Sequence, residues 1–327
     1  MAILAPFLAV AALAALAAAF GPAAPFLFGV ALPIAAVLTF AAGVVIKVVG
    51  WARSPVPFAI PTTCGQQKSL PWIRQAKIDN PSSTAGVAAR MALEVLCFRS
   101  LFRNTTTRLN DGRLSHLSSK WLWAAGLAFH YSLLVILLRH LRLFVDPVPG
   151  FVLALARVDG FFQVGLPVVF ASTLIFLGAA GFLLARRLLL PAVRYLSLPA
   201  DWFALFLFLG IGLSGAFMRH VAKIDVPAAK EMAMSLIHFS PHAVSSGAIF
   251  YAHLFLVSAL LAYFPFSKLM HAGGVFLSPT RNLAGNSREV RHVNPWNHPV
   301  PVHTYQEYED EFRTRMVDAG IPVEKEA

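Results

Sequence analysis

The chain has 327 residues, 57% of them hydrophobic and 13% charged, with a mean hydropathy of +0.65 and a formal net charge of +11. Soluble domains carry about a quarter charged residues and roughly half apolar ones, so a water-soluble globule is excluded. Collagen-like, disordered and disulfide-stapled chains are excluded as well: there is no glycine period, and Cys64 and Cys97, the only cysteines, sit in neither a C-x-x-C nor a metal-ligand spacing.

What remains is an integral membrane protein with several spans. Its lysines and arginines lie between apolar runs, as loop charge bias requires, and no basic helix or aromatic-basic module points to nucleic acid. In chain order, six stretches supply the roughly 20 mostly apolar residues a span needs: Ile3–Phe20, Phe26–Val49, Trp121–Leu143, Phe161–Leu184, Trp202–Met218 and Val244–Phe266. The expected architecture is therefore an all-α, six-helix transmembrane bundle. The first stretch lacks the basic n-region of a signal peptide, the first Lys or Arg being Lys47, and reads as a retained helix.

Residues 51–120 hold ten basic side chains, opposed only by Asp79, Glu94 and Asp111, and the fourth–fifth connection carries Arg186, Arg187 and Arg194 with no acid. The excess of Lys and Arg places both in the cytoplasm, puts the connections 144–160 and 219–243 outside, and leaves both termini cytoplasmic in a multi-pass protein of the cell's inner membrane. The domains are then two N-terminal spans (1–50), a basic cytoplasmic loop (51–120), a four-helix core (121–275) and a cytoplasmic tail (276–327). Within the loop, Ala85–Phe102 reads as one amphipathic helix, lying on the membrane lipid or serving as a platform for a cytoplasmic partner. The polar tail has no core of its own and is expected to stay mobile or wrap a partner.

Four histidines fall in or at the ends of two spans: His130 and His140 on the third, His253 and His271 on the sixth. An ionisable side chain in hydrocarbon is costly and marks function by default. An interhelical hydrogen bond accounts for any one of them alone, but the spacings say more. His130 and His140 are ten residues apart, about 15 Å along a helix, and His253 and His271 are eighteen apart, about 27 Å or five whole turns on one face. If the two helices run antiparallel, His130 meets His271 and His140 meets His253, with the couples' centres about 21 Å apart. Each couple can hold a flat macrocycle end-on. Haem iron takes two axial imidazoles this way, which leaves no open position and suits electron transfer; without a C-x-x-C-H, the haems would be b-type. Zinc prefers tetrahedral clusters to such separated pairs. A proton-relaying transporter would show inverted repeats and broken helices, and no convincing repeat is apparent. His116, His292, His298 and His303 lie outside the spans and read as solvated or partner-facing; His238 and His242 share an outer connection.

The third span, FHYSLLVILLRH, and the sixth, YAHLFLVSALLAYFPFSKLMH, together with ARRLLLPAVRYLSLPADW between the fourth and fifth, resemble the gamma-subunit family of respiratory nitrate reductases over about residues 121–275. That resemblance implies a dihaem core in which His130 and His271 ligate a cytoplasm-proximal haem b and His140 and His253 a distal one. It also implies an electron-transfer subunit of an oxidoreductase complex, linking a quinone pool (menaquinone or ubiquinone) to an iron–sulfur partner on the cytoplasmic side. The chain lacks the cysteines for a cluster of its own. Near the distal haem, Arg157, Asp159, Arg219 and His220 are candidates for the quinone, the competing reading being interfacial charges that snorkel. The added first span, the basic loop and the tail depart from the nitrate-reductase type and look most like the DsrM branch, the cytochrome b subunits of the DsrMKJOP complexes of sulfur metabolism. That branch implies a heterodisulfide-reductase-like iron–sulfur subunit (DsrK) as direct partner and the sulfur carrier DsrC, with its trisulfide, beyond it. A nitrate reductase gamma subunit and the membrane cytochrome b of a heterodisulfide reductase are the alternatives.

Overall fold

The structure, a computed structural model, describes residues 3–54, 65–103, 105–163, 167–286 and 302–324; Cys64, His292 and His298 lie outside the described residues. In lipid every backbone N–H and C=O must be satisfied within the chain, and the apolar stretches meet that demand as helices. Among the described residues, five are long and apolar enough to cross a membrane: Leu27–Ala52, Lys120–Leu143, Ala171–Leu189, Pro199–Ala222 and Ala248–Phe266. Only 22–33% of the most apolar stretch of each is buried within the chain, so their outer faces are greasy, as lipid-facing surfaces are. The first helix, α1 (Leu4–Phe20), has 17 residues and spans about 25 Å, less than the roughly 30 Å of a hydrocarbon core. Six full-length spans thus become five and one shorter apolar helix.

The spans are α2 (Leu32–Ala52, entered through a π-turn at Leu27–Ala31), α5 (Lys120–His140), α7 (Ala171–Leu189), α9 (Pro199–Phe217) and α11 (Ala248–Tyr263). Helix α11 is central, touching α1, α2 and α9, while α7 bridges α5 and α9. Close approach comes from small residues, as in other membrane bundles: a Cβ on Gly21 would lie 2.4 Å from the Tyr251 Cβ, and one on Gly43 2.6 Å from the Pro265 Cβ. Between α5, α7 and α9 the filling is aromatic. Phe129 stacks on Phe176 at 5.1 Å between ring centres and meets Phe208 edge-on at 5.2 Å.

Several expectations are corrected. The fourth span starts at Ala171, not Phe161. Pro167 lacks a backbone N–H, and Gly160–Phe162 (β3) pairs with Val169–Phe170 (β4) in a short antiparallel hairpin ahead of α7. The connection before it folds into α6 (Gly150–Asp159), the 219–243 connection contains α10 (Val226–Ile237), and the sixth span begins at Ala248 rather than Val244. The loop helix is two pieces, α3 (Thr84–Cys97) and α4 (Arg99–Arg103), broken where Phe98 takes a left-handed conformation at φ 48°. After them comes a hairpin absent from an all-α reading, β1 (Thr105–Asn110) against β2 (Arg113–Ser118), turning at Asp111-Gly112 where φ is 48° and 77°. The tail, expected to stay mobile or wrap a partner, contains α14 (Tyr305–Asp318), started by a capping box in which Thr304 and Glu307 satisfy each other's backbone N–H.

At the end of the bundle that carries the 65–118 segment, called here the loop end, α3 is clasped to the chain leaving α11. Arg90, only 4% exposed, donates from Nη1 to the Asp79 carbonyl at 3.1 Å, from Nε to the Arg281 carbonyl at 3.1 Å, and from Nη2 to the carbonyls of Arg281 and Leu283. Asp79 in turn pairs with Arg99 and Arg103. Burial depresses the Arg90 guanidinium below its ordinary value, although four carbonyl contacts offset much of the lost hydration.

Candidate functional site

Of the four span histidines, the structure places one pair ring to ring and the other pair within electrostatic reach. At the loop end the imidazoles of His130 and His271 lie 5.9 Å apart between ring centres, with planes at 83°. Two imidazole nitrogens each about 2 Å from a shared metal would put the ring centres roughly 6 Å apart. His140 and His253, at the opposite or far end, are within electrostatic reach of each other. His140 is exposed at the end of α5.

The route to the first couple differs from the spacing argument. Five unbroken turns do not connect His253 to His271: the helix tightens to 3₁₀ geometry at Phe264–Phe266, where Pro265 sits, and Ser267 is extended at ψ 175°. His271 then opens the short helix α12 (His271–Gly274). What positions it is a local turn, in which the Ser267 hydroxyl accepts from the Leu269 N–H and Lys268 pairs with Asp201 at 2.8 Å, tying the turn to the start of α9.

Each histidine has its Nδ1 committed. His130 Nδ1 is 2.8 Å from the Gly126 carbonyl, His140 Nδ1 2.7 Å from that of Ile136, and His271 Nδ1 2.7 Å from that of Lys268. A carbonyl only accepts, so Nδ1 carries the proton in all three, which leaves Nε2 with a free lone pair. His253 Nδ1 lies 2.9 Å from the Ser214 Oγ, whose own hydroxyl donates to the Ile211 carbonyl at 3.0 Å; Ser214 must then accept from His253, giving the same tautomer. Four Nε2 atoms with bare lone pairs, two of them on the His130/His271 couple, are the kind of donor an axial-ligand site requires. The residues fit the group. Aromatic edges flank the loop-end couple, Phe98 at 5.0 Å and Phe129 at 5.2 Å from His130 between ring centres. Phe98 reaches that position because of its left-handed backbone, so the α3–α4 break places an apolar ring on the site.

Of the quinone candidates, Asp159 and Arg219 converge at the far end, whereas Arg157 is exposed and His220 half-buried. Asp159 accepts from the Ser172 N–H at 2.7 Å and its hydroxyl at 2.6 Å, and pairs with the Arg139 Nε at 3.0 Å. Arg139 and Arg219 both lie over the Phe170 ring, at 3.5 and 4.3 Å from its centre, and Arg219 donates to the Val168 carbonyl at 2.8 Å. Sequence reasoning missed Arg139, a cation inside a span next to a histidine, which is a signal in itself. Ser214 and Ser172 carried no such mark. Elsewhere, His242 pairs with Glu231 at 3.1 Å, His116 and His303 are exposed, and Cys97 is a free, exposed thiol.

The nitrate reductase gamma subunit profile matches residues 86–291, more than half of the chain. This chain belongs to the nitrate reductase gamma-subunit family. An "Hdr-like menaquinol oxidoreductase cytochrome b-like subunit" of Archaeoglobus fulgidus is 50% identical over 279 residues, 83% of each chain. Its counterpart in Archaeoglobus profundus is 42% identical over 275 residues, 82% of each chain. No solved structure matches. The family match covers all four span histidines, Arg90 with its acceptors at 281 and 283, and the Arg139–Asp159 pair. It leaves out α1, which packs against α9 and α11, and α2, which packs against α11.

Proposed function

We propose that this protein is the dihaem cytochrome b subunit of an Hdr-like menaquinol oxidoreductase, with His130 and His271 holding one haem b and His140 and His253 the other. The observation that carries the reading is the His130/His271 couple, 5.9 Å between ring centres, together with the tied Nδ1 of all four imidazoles. Haem bound there would supply one-electron carriage across the bundle. The chain's own residues fix the ring orientations through Gly126, Ile136, Lys268 and Ser214, exclude water with Phe98 and Phe129, and keep the far-end ligand beside a buried charge network.

Menaquinol comes to this reading from the names of the relatives, and the far end, near Arg219 and His220, is where it would be oxidised. The loop end, basic and therefore cytoplasmic, would face an iron–sulfur subunit of the heterodisulfide-reductase type, because the chain lacks cysteines for a cluster. The added N-terminal helices, basic loop and extended tail support the DsrM branch, with DsrK as direct partner, the other DsrMKJOP subunits around it and DsrC as the more distant redox partner. Reduced-minus-oxidised spectra of the purified chain should give two b haems. Replacing His140 or His253 should remove the same one, and replacing His130 or His271 the other. Loss of different haems from His140 and His253 variants would break the pairing.

A further inference from the structure

The far-end charge network includes Arg219 of the proposed quinol region, but its electrostatic effect on the neighbouring histidines has not been assigned, and it is expensive. Arg139 is 9% and Asp159 8% exposed, at a depth where a buried ion pair often costs as much in lost hydration as it returns. Four elements nevertheless converge to build it: the end of α5, the end of α6, the start of α7 with Phe170, and the π-turn after α9. Arg139 also lies within electrostatic reach of Arg142 and Arg219. Arg139, paired with Asp159 and next in sequence to His140, thus has two further cations around it, one of them Arg219 over the same Phe170 ring. The His130/His271 couple is bordered instead by the rings of Phe98 and Phe129.

We infer that Arg139, Asp159 and Arg219 form a fixed-charge collar that raises the redox level of the His140/His253 site, with Arg139 also a positioning residue for His140. The inference rests on the haem reading above. Adding an electron lowers the charge of the site by one, so a surplus of positive charge in a medium of low dielectric favours the reduced form. Asp159 tempers that surplus and, with Ser172, holds the Arg139 guanidinium against Phe170. Residues 139 and 140 differ by about 100° around the helix axis, so anchoring Arg139 to α6 and α7 also fixes the rotation at which His140 faces α11.

The test is potentiometric titration of the purified full chain, following each haem band separately. Asp159→Asn should shift the far-end band to more positive potential, and Arg139→Gln and Arg219→Gln should shift it to more negative potential. Each shift should be of the order of a tenfold change in the ferrous-to-ferric ratio, about 59 mV for one electron, with the loop-end band unmoved as an internal reference. If Arg139→Gln or Asp159→Asn does not fold, the half-buried Arg219→Gln carries the same expectation. Two intact haem bands with an unshifted far-end potential, or shifts of the same sign in Asp159→Asn and Arg219→Gln, would overturn the collar while leaving the haem reading standing. A wild-type chain without b haem would remove both.

Discussion

At the scale of single residues, the commitment of every Nδ1 is what separates this constellation from four histidines that happen to lie in membrane helices. Ser214 is the most exposed to test, because it is the one partner supplied by a side chain from another helix. Ser214→Ala removes the side-chain acceptor of the His253 Nδ1–H, and loss of such an orienting partner typically costs 10–100-fold in metal affinity; on the proposed reading, haem at the far end should fall in occupancy by about that factor in a haem-release assay, with haem at the loop end retained. Gly215→Ala addresses the same ring by steric means. Its Cβ would stand 3.3 Å from the His253 Cε1, so the variant should broaden or shift the low-spin far-end signal in paramagnetic resonance while total haem changes little. The histidines themselves are legible in the sequence, because an imidazole amid leucines has few other reasons to be there. Ser214 is not, since serine bonded to its own helix carbonyls is common in membrane spans and only the facing helix reveals the second role.

At the scale of elements, apolar periodicity locates the spans well but misjudges where they stop. Phe161–Phe170 is greasy enough to extend a helix, yet Pro167 and the pairing of Gly160 with Phe170 turn it into a hairpin, and hydropathy does not distinguish the two. The α3–α4 break is invisible for a similar reason: nothing in AGVAARMALEVLCFRSLF demands a left-handed Phe98 until the ring has His130 to cover. Arg90 likewise looks like one more loop cation, whereas it is the bolt between α3 and residues 281–283. Charge-assisted hydrogen bonds contribute about 1.5–3 kcal/mol each, so Arg90→Ala, which strands several carbonyls, should loosen this clasp by about 2–4 kcal/mol. The check is hydrogen exchange over residues 84–97 and proteolysis of the loop, both of which should accelerate while the spans stay protected. The tail helix carries a pH signature. Glu307 is held below the ordinary carboxylate value, mainly by the Thr304 backbone N–H and then by the Thr304 side chain. A depressed carboxylate stabilises the fold above its unfolded value and loses that contribution as pH falls through the folded one. Exchange protection of residues 305–318 should therefore be full near neutrality and decline only below the ordinary carboxylate range. Glu307→Ala should show the acid-like fraying already at neutral pH.

At the scale of the whole molecule, the two ends of the bundle are built from different materials, and the proposed orientation in the membrane rests on that difference. The loop end collects Arg74, Arg90, Arg99, Arg103, Arg113 and Lys120, with Arg186, Arg187 and Arg194 on the neighbouring connection, whereas the far end mixes signs, as in the Lys230–Asp146 pair at 2.7 Å and the His242–Glu231 pair. Short basic segments next to spans are retained in the cytoplasm during insertion; residues 186–194 satisfy that rule more strictly than the longer 51–120 segment, and the two agree. Cys97, exposed at the loop end, provides a reporter, and Arg157, exposed on α6, provides a position for a second. With Cys64→Ser to leave one native thiol, Cys97 should react with a membrane-impermeant maleimide in inside-out vesicles and resist it in right-side-out ones. In the Cys64→Ser, Cys97→Ser background, Arg157→Cys should show the reverse. Labelling of both from one face would mean an odd number of crossings between residues 97 and 157 is wrong, and with it the antiparallel run of α5 against α11 that brings the histidines into couples. Opposite faces with the sides exchanged would keep the couples but move the basic surface away from any cytoplasmic iron–sulfur partner. The electron path would then have to end on the outer side, so the labelling pattern decides the topology and the location of the partner in one measurement.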